Sequence, residues 1–460
     1  MNEKKLFFKD VIYSLLTLGV FFLGILYGTT NNPSLGNIGD TYLISYNLFF
    51  TIAIPFVIYL MFTISLILSV KDKSLLVNKK FIISSVIIFI TMVYLALLTI
   101  FKDNSHLINP QNKPYLVEVP YDRLKSFFDV TIMFINIFLL FNLVKAGKKI
   151  KYISFYIFTF GVVLFAIIAI IYSLINEQEI YKAIFSDFSI VFDDTIRVVH
   201  RVKSFFYFNN VFSHYCSLAL LTVMALSFVL KKKWIMLLSL FFFFFVVVGG
   251  SRTAFLAGLV LYFLYIIYFV LSLKKKNKIA FIVSLSILII FVTYILLDIF
   301  LLKNIHLNNS RGESFTLYES FELFFDVLKT NRFPIVTNTL KLYHPLDFII
   351  GQGYEIDMFS VRSYGNYNYH NSFMEVFMAG GIPLTLFYLY LFYKIIKLVI
   401  ARFKEGNKDL LYLLIILVIY SAQYSLSESI TIFFNYNVGA VLTYLFVAPF
   451  ILCEKEKTIN

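Results

Sequence analysis

Charge is scarce in this sequence. Of its 460 residues 15% are charged and 60% are hydrophobic, with a mean hydropathy of +0.81. A soluble domain runs at roughly half apolar and a quarter charged. A soluble globule is therefore excluded, and the apolar runs are too many for one anchor. Cysteine is scarcer still: Cys216 and Cys453 are the only two, and they fall in different apolar runs. The topology derived below puts them near opposite faces of a bilayer, which argues against an intrachain disulfide. No Walker or GxGxxG pattern occurs, so nothing supports a nucleotide site. The one adjacent acid pair, Asp193-Asp194, has neither DxD spacing nor a histidine at ligand spacing. That favours a solvated face, and neither a metal nor another cofactor is expected. The net charge of +13 could suggest nucleic acid, but the lysines cluster at the ends of apolar runs, where membrane topology requires them. No nucleic-acid partner is expected.

What is present is a series of runs of spanning length. At about 20 apolar residues per span the chain holds about twelve. They fall at 11–30, 42–70, 81–101, 125–144, 152–175, 211–230, 234–250, 254–273, 279–302, 372–400, 410–426 and 432–453. The first run lacks a small-residue cleavage site before the next and reads as a retained helix. The expectation is an all-α, polytopic integral membrane protein, one membrane domain over residues 1–460 with no internal repeat. A single long external loop, 303–370, joins the ninth and tenth spans. A connection of that length is functional or folded. Within it, Glu313 to Leu328 and Pro334 to Lys341 have helical patterns, and Gly351 to Gly353 marks a turn. The loop from Asn176 to Asn210 opens with a surface-helix pattern.

Basic residues alternate from side to side. Lys4, Lys5 and Lys9, then groups at 71–80, 145–151, 231–233, 274–278, 394–408 and 455–457, lie in short connections on one side. The positive-inside rule puts that side, and both termini, in the cytoplasm. The other side is informative. It holds seven of the eight arginines (all but Arg402), and all six histidines lie on it or at its boundary. Topology does not ask for them there. Arginine binds phosphate through a planar fork and histidine moves protons. Chemistry on the outer face with an anionic partner is the reading.

Three stretches carry that chemistry. Gly249-Gly250-Ser251-Arg252-Thr253 is a tight connection between the seventh and eighth spans, which holds Arg252 at the outer membrane boundary. Snorkelling to headgroups is the competing explanation, but an ionisable residue at membrane depth is a functional hypothesis by default. Arg332-Phe333-Pro334 lies in the long loop. Tyr369-His370-Asn371-Ser372-Phe373-Met374-Glu375, followed by Gly380-Gly381-Ile382-Pro383, sits where the longest polar segment meets an apolar one. Asn371 or Ser372 is a natural N-cap there, with His370 just before the helix and Glu375 one turn inside it. The positive end of the helix dipole suits an anionic ligand. A fourth stretch, RVKSFFYFNN from Arg201 to Asn210, leads into the sixth span and also fits an interfacial aromatic belt with basic anchors.

These elements occur in a fixed order: RVKSFFYFNN, GSRTA, NRFPIVTNTLKLYHPLDFIIGQGYE and YHNSFMEVFMAGGIP. Their combination, from Arg201 to Tyr390, resembles the O-antigen ligase and O-antigen polymerase (Wzy-type) superfamily of bacterial surface-polysaccharide enzymes. The resemblance implies glycosyl transfer from an undecaprenyl-pyrophosphate-linked oligosaccharide on the outer side of the cytoplasmic membrane, without metal or sugar nucleotide. It puts the family's membrane-boundary arginine on Arg252, its loop arginine on Arg332 and its loop-end histidine on His370. Arg201, Asn210, Ser251, Asn371 and Glu375 are then the expected substrate-binding residues. Many members carry a tryptophan shortly after the loop arginine. Here the only one is Trp234, and Ile335-Val336 stands in its place.

The chemistry fits independently. A leaving lipid pyrophosphate needs preorganised cations, and a sugar hydroxyl needs a positioned base, which a neutral histidine with a pKa of ~6.5 provides. A direct displacement inverts the anomeric carbon. The expected activity is a polymerase of capsule or O-antigen repeat units, with membrane lipid and a chain-length regulator protein as further partners. A ligase differs only in its acceptor. A lipid-linked oligosaccharide flippase is the rival from another class, but it would carry charge deep in its spans and short loops on both sides.

Overall fold

The structure is a computed structural model. It describes residues 15–16, 18–19, 22–23, 53–64, 67, 79–102, 127–138, 148–175, 190–192, 196–198, 202, 204, 209–249, 251–272, 306–308, 314–316, 340, 343–353, 371–404, 408–427 and 444–445. Helices dominate. They are α1 (Ala53–Ile64), α2 (Lys79–Phe101), α3 (Phe127–Phe138), α4 (Lys148–Ile175), α5 (Asn209–Leu230), α6 (Met236–Val248), α7 (Arg252–Ser272), α8 (Pro345–Ile350), α9 (Ser372–Lys404) and α10 (Lys408–Ser427). Four of them, α4, α5, α7 and α9, contain stretches long and apolar enough to cross a bilayer, and α1, α3, α6, the end of α2 and most of α10 are shorter apolar helices. A helical membrane protein is thereby borne out. The expected ninth span, 279–302, and most of the first, second and twelfth lie outside the described residues.

The exposed faces of these helices are greasy, as a lipid-facing surface requires. On α4, Tyr156, Phe160, Leu164, Ile168 and Ile175 are exposed in a stripe, while Phe155, Phe158, Val162, Ala166 and Ala169 are buried. On α7 the exposed residues are Phe255, Leu256, Leu259 and Phe263, and the small Ala254 and Ala257 face inward. Small residues let neighbouring helices approach closely without any water-driven hydrophobic force.

By contact the chain divides into two compact units. One comprises Met1–Ala166, Leu218–Ser239 and Asn338–Asn460. Its centre is α3, whose residues Val130, Ile132, Met133 and Phe134 are fully or almost fully buried. Against α3, Ile54 and Ile58 of α1 pack on Ile132 and Ile135, and Phe134 stacks on Phe387 of α9 at 6.5 Å. Within this unit α9 packs on α8, α10 and α2.

The other unit comprises Ile167–Ser217 and Leu240–Thr337. Phe243 of α6 stacks on Phe255 of α7 at 5.9 Å and meets Tyr262 edge-on at 5.2 Å. This unit also holds two small antiparallel ribbons that the all-α expectation did not include. β1 (Ile190–Phe192) pairs with β2 (Ile196–Val198), Ile190 opposite Val198. β3 (His306–Asn308) pairs with β4 (Ser314–Thr316), His306 opposite Thr316. The second ribbon corrects the helical expectation for the start of the Glu313 to Leu328 stretch. Ser314-Phe315-Thr316 alternates polar and apolar residues at a period of two and ends on a β-branched one, which suits a strand. The rest of that stretch, the surface-helix pattern after Asn176, and Pro334 to Lys341 apart from Leu340 lie outside the described residues.

The tenth span also differs from expectation. It is not one continuous rod: Gly381, at φ 58° and ψ −152°, breaks α9 in two, and Pro383 follows inside the second part.

Candidate active site

In the second unit the connection before α7 is as tight as the sequence indicated. α6 ends at Val248 and α7 begins at Arg252. Ser251 is the N-cap: its Oγ accepts the N–H of Ala254 at 3.4 Å, and its carbonyl accepts the N–H of Phe255 at 2.9 Å. Its own N–H donates to Ser213 Oγ on α5 at 3.3 Å. Ser251 is 3% exposed, so this bond is made in a dry setting. Gly249 makes the approach possible. A Cβ there would lie 2.1 Å from Ser213 Oγ and 2.9 Å from the Phe212 ring. Arg252 therefore takes the first helical position of α7, at the positive end of the helix dipole. Ser251 reads as the cap that sets this geometry.

In the first unit Asn371 caps α9. Its Oδ1 accepts the N–H groups of Phe373 at 3.0 Å and Met374 at 3.1 Å, and its carbonyl accepts that of Glu375 at 3.1 Å. The expected cap is borne out: the side-chain oxygen of Asn371 serves the helix. Glu375 is half-buried in the first turn. His370 adjoins this cap in sequence. His370, Arg332 and Arg201, with the side chains of Arg252 and Asn210, lie outside what the structure describes.

A constellation that the sequence reading missed lies beside α9. α8 starts with Pro345 at its first position, and Asp347 at the third accepts the N–H of His344 at 2.8 Å. Asp347 is 3% exposed and pairs with Lys102, 11% exposed, at 2.6 Å. The same ammonium donates to the carbonyl of Gly351 at 2.6 Å, and Tyr94 Oη donates to the carbonyl of Ile350 at 2.6 Å. Beyond α8 the chain runs against the break in α9. Gln352 N–H donates to Met378 O at 2.9 Å and Gly353 N–H to Ala379 O at 2.8 Å.

Two glycines allow that contact. A Cβ on Gly351 would sit 2.5 Å from Gly380 Cα, and one on Gly381 would sit 2.4 Å from Ile349 O. Both have positive φ, 79° and 58°, a conformation glycine adopts without cost. The Gly351 to Gly353 turn is thus more than a turn: it is a clasp on α9. His-Pro-x-Asp ahead of Gly was a legible helix signal, with Pro at the first position, an acid at the third and glycine after the end. Lys102 had no such signal, because its partner lies 245 positions away.

Comparison with known proteins bears on the same elements. No curated protein and no solved structure matches the chain. Residues 236–389 match the family model described as O-antigen ligase. That stretch takes in α6, the Ser251 cap, α7, the clasp and the break in α9, while Arg201, Asn210 and Lys102 fall outside it. Over residues 236–389 this chain is similar to the O-antigen ligase family, which bears out the resemblance that its motifs carry.

Proposed function

We propose that the protein is a glycosyltransferase that moves an oligosaccharide from undecaprenyl pyrophosphate to a sugar hydroxyl on another lipid-linked unit, polymerising repeat units of a surface polysaccharide. The observation that supports glycosyl transfer is the family match over 236–389, which includes both capped helix starts that adjoin the expected site residues; the choice of a second lipid-linked unit as acceptor is the proposal's own. Arg252 and Arg332 hold the pyrophosphate. His370 takes the proton of the acceptor hydroxyl as its oxygen bonds the anomeric carbon. The bond from that carbon to the pyrophosphate oxygen breaks, its electron pair leaves with the lipid pyrophosphate, and the anomeric configuration inverts. Glu375 orients His370. Arg201 and Asn210 contact the donor saccharide. No metal takes part.

The reaction is placed at the external face of the cytoplasmic membrane, with both termini inside. The lysine pattern supports the side, and the Lys102–Asp347 pair supports only that the segments holding these two residues share one face. A chain-length regulator would act on such a polymerase as a partner. The description of the matching family favours a second reading, a ligase that passes the glycan to a different acceptor.

The test uses membranes holding the protein and a radiolabelled lipid-linked repeat unit as the sole saccharide. Ladder-forming polymer with release of undecaprenyl pyrophosphate is the expected result. Donor consumption only when a different lipid acceptor is added identifies the ligase. An intact donor under both conditions refutes transfer.

A further inference from the structure

We infer that Lys102 is a positioning residue for glycosyl transfer, acting through Asp347 and Gly351 to set the direction of the first turns of α9. The inference rests on the proposed function, and its geometry stands apart from it. The first part of α9, from Ser372 to Gly380, carries the Asn371 cap and Glu375. Its direction is not inherited from the rest of the helix. The non-helical Gly381 breaks the ladder, and Pro383 has no N–H to offer Ala379 O. The backbone bonds from Gln352 and Gly353 compensate at that break. The clasp therefore aims the N-terminal part of α9.

Lys102 in turn fixes the clasp. One ammonium bridges the two ends of α8, Asp347 Oδ1 at its start and the Gly351 carbonyl just past its end, both at 2.6 Å. Asp347's other oxygen holds the His344 N–H at 2.8 Å. Tyr94 adds a hydroxyl that reaches both sides of the join, Ile350 O at 2.6 Å and Gly380 O at 3.4 Å. Phe348 of α8 stacks on Phe377 of α9 at 6.1 Å. A lysine at the end of α2, outside the segment that matches the family, thus sets the site end of α9 inside that segment. A charge pair this deeply buried is not exchangeable for one partner, because the other is left charged and unpaired.

The experiment uses the full chain in membranes, with Cys216→Ser and Cys453→Ser as background. In Lys102→Gln, turnover of the lipid-linked donor is expected to fall on the order of 10²-fold, the scale of a misplacement of about 1 Å, with its KM unchanged. Phe348→Cys/Phe377→Cys, bridged by a short bis-maleimide, covalently restores the clasp. Bridging is expected to return most of the lost turnover to Lys102→Gln. Undiminished turnover in Lys102→Gln, or bridged protein that stays inactive, overturns the positioning role. Failure of the two cysteines to bridge in protein that keeps Lys102 overturns the clasp. Unsubstituted protein that consumes no lipid-linked donor, beside a double-cysteine variant that bridges normally, overturns the proposed function and leaves the clasp standing.

Discussion

The backbone N–H of Gln352 donates to the carbonyl of Met378 at 2.9 Å, and by that bond a turn in the long connection joins α9 just before its break at Gly381. Helices broken inside a membrane survive only where other groups satisfy the freed backbone atoms. Here the neighbouring Gly353 N–H donates at 2.8 Å to the carbonyl of Ala379, the rung that Pro383, with no N–H, cannot make. The break is thus a junction between two segments far apart in sequence, and it makes the glycines on either side sensitive.

Gly381→Ala is predicted to destabilise the protein by about 1–3 kcal/mol from backbone strain alone, with a further cost from a Cβ 2.4 Å from Ile349 O. Pro383→Ala is predicted to stay within about 1 kcal/mol, because Ala379 O already has a partner in Gly353 and gains little from the restored N–H. Thermal aggregation of the detergent-purified variants measures both. Equal losses for the two would show that the proline, not the glycine junction, sets the bend.

Ser251→Ala removes the cap of α7 and is predicted to cost about 1 kcal/mol. Its effect on transfer should be modest, since the backbone of Arg252 remains at the helix start. Arg252→Lys should lose most transfer with no loss of stability, because one ammonium cannot reproduce a bidentate fork on pyrophosphate. Polymer gels at matched protein level, read beside the melting curves, separate the two. Normal polymer from Arg252→Lys would reduce Arg252 to a membrane anchor.

The sequence made the helical elements legible because a bilayer leaves few choices: runs of about 20 apolar residues mark spans. α4, α5, α6 and α7 lie where the runs indicated. Asn371 and the Ser251 turn were legible for a local reason, since caps and tight connections depend on a few adjacent residues. What stayed hidden was non-local. Nothing near Lys102 announces Asp347, and nothing near Met378 announces Gln352. Gly380-Gly381 stood out as a motif, but only the approach of Gly351 explains why a side chain is excluded there. The β3–β4 ribbon was missed because three-residue strands are too short to give a periodicity that competes with a mixed helical pattern.

Asn371→Asp is predicted to keep the fold, because a carboxylate oxygen caps Phe373 and Met374 N–H as well as the amide does. Asn371→Ala should lose about 1 kcal/mol. The informative case is transfer by Asn371→Asp. Retained polymer makes Asn371 a cap alone. A stable but inactive Asn371→Asp would mean that the amide N–H₂ also serves the substrate.

The side of the membrane is checked by single cysteines in intact cells. Asp357→Cys in the long connection should react with an impermeant maleimide, and Lys278→Cys should react only after permeabilisation, because the positive-inside rule assigns the lysine clusters to the cytoplasmic side. The reverse pattern would put the proposed chemistry in the cytoplasm and remove lipid-linked units on the outer leaflet as its substrate.

His370→Ala tests the base. His370 adjoins the Asn371 cap, so the helix that follows should fold whether or not the imidazole is present, because the cap uses only Asn371 atoms. Protein level and membrane insertion should therefore match the wild type. Chain growth should not: general acid–base catalysis typically contributes ~10²–10⁴-fold, so residual polymer should be faint. Lipid-linked single repeat units should accumulate, since the proposed transfer is the step that consumes them. His306→Ala and His344→Ala are the controls. His306 sits in the β3 strand, and His344 serves α8 through its backbone N–H, which alanine keeps. Both should make near-normal polymer. The measurement is a polysaccharide gel beside extracted lipid intermediates, in a strain carrying only the variant copy. Long-chain polymer from His370→Ala at near wild-type amounts would remove the imidazole from the reaction. The acceptor proton would then have to go to another group, of which Glu375, half-buried one turn inside the same helix, is the first to test.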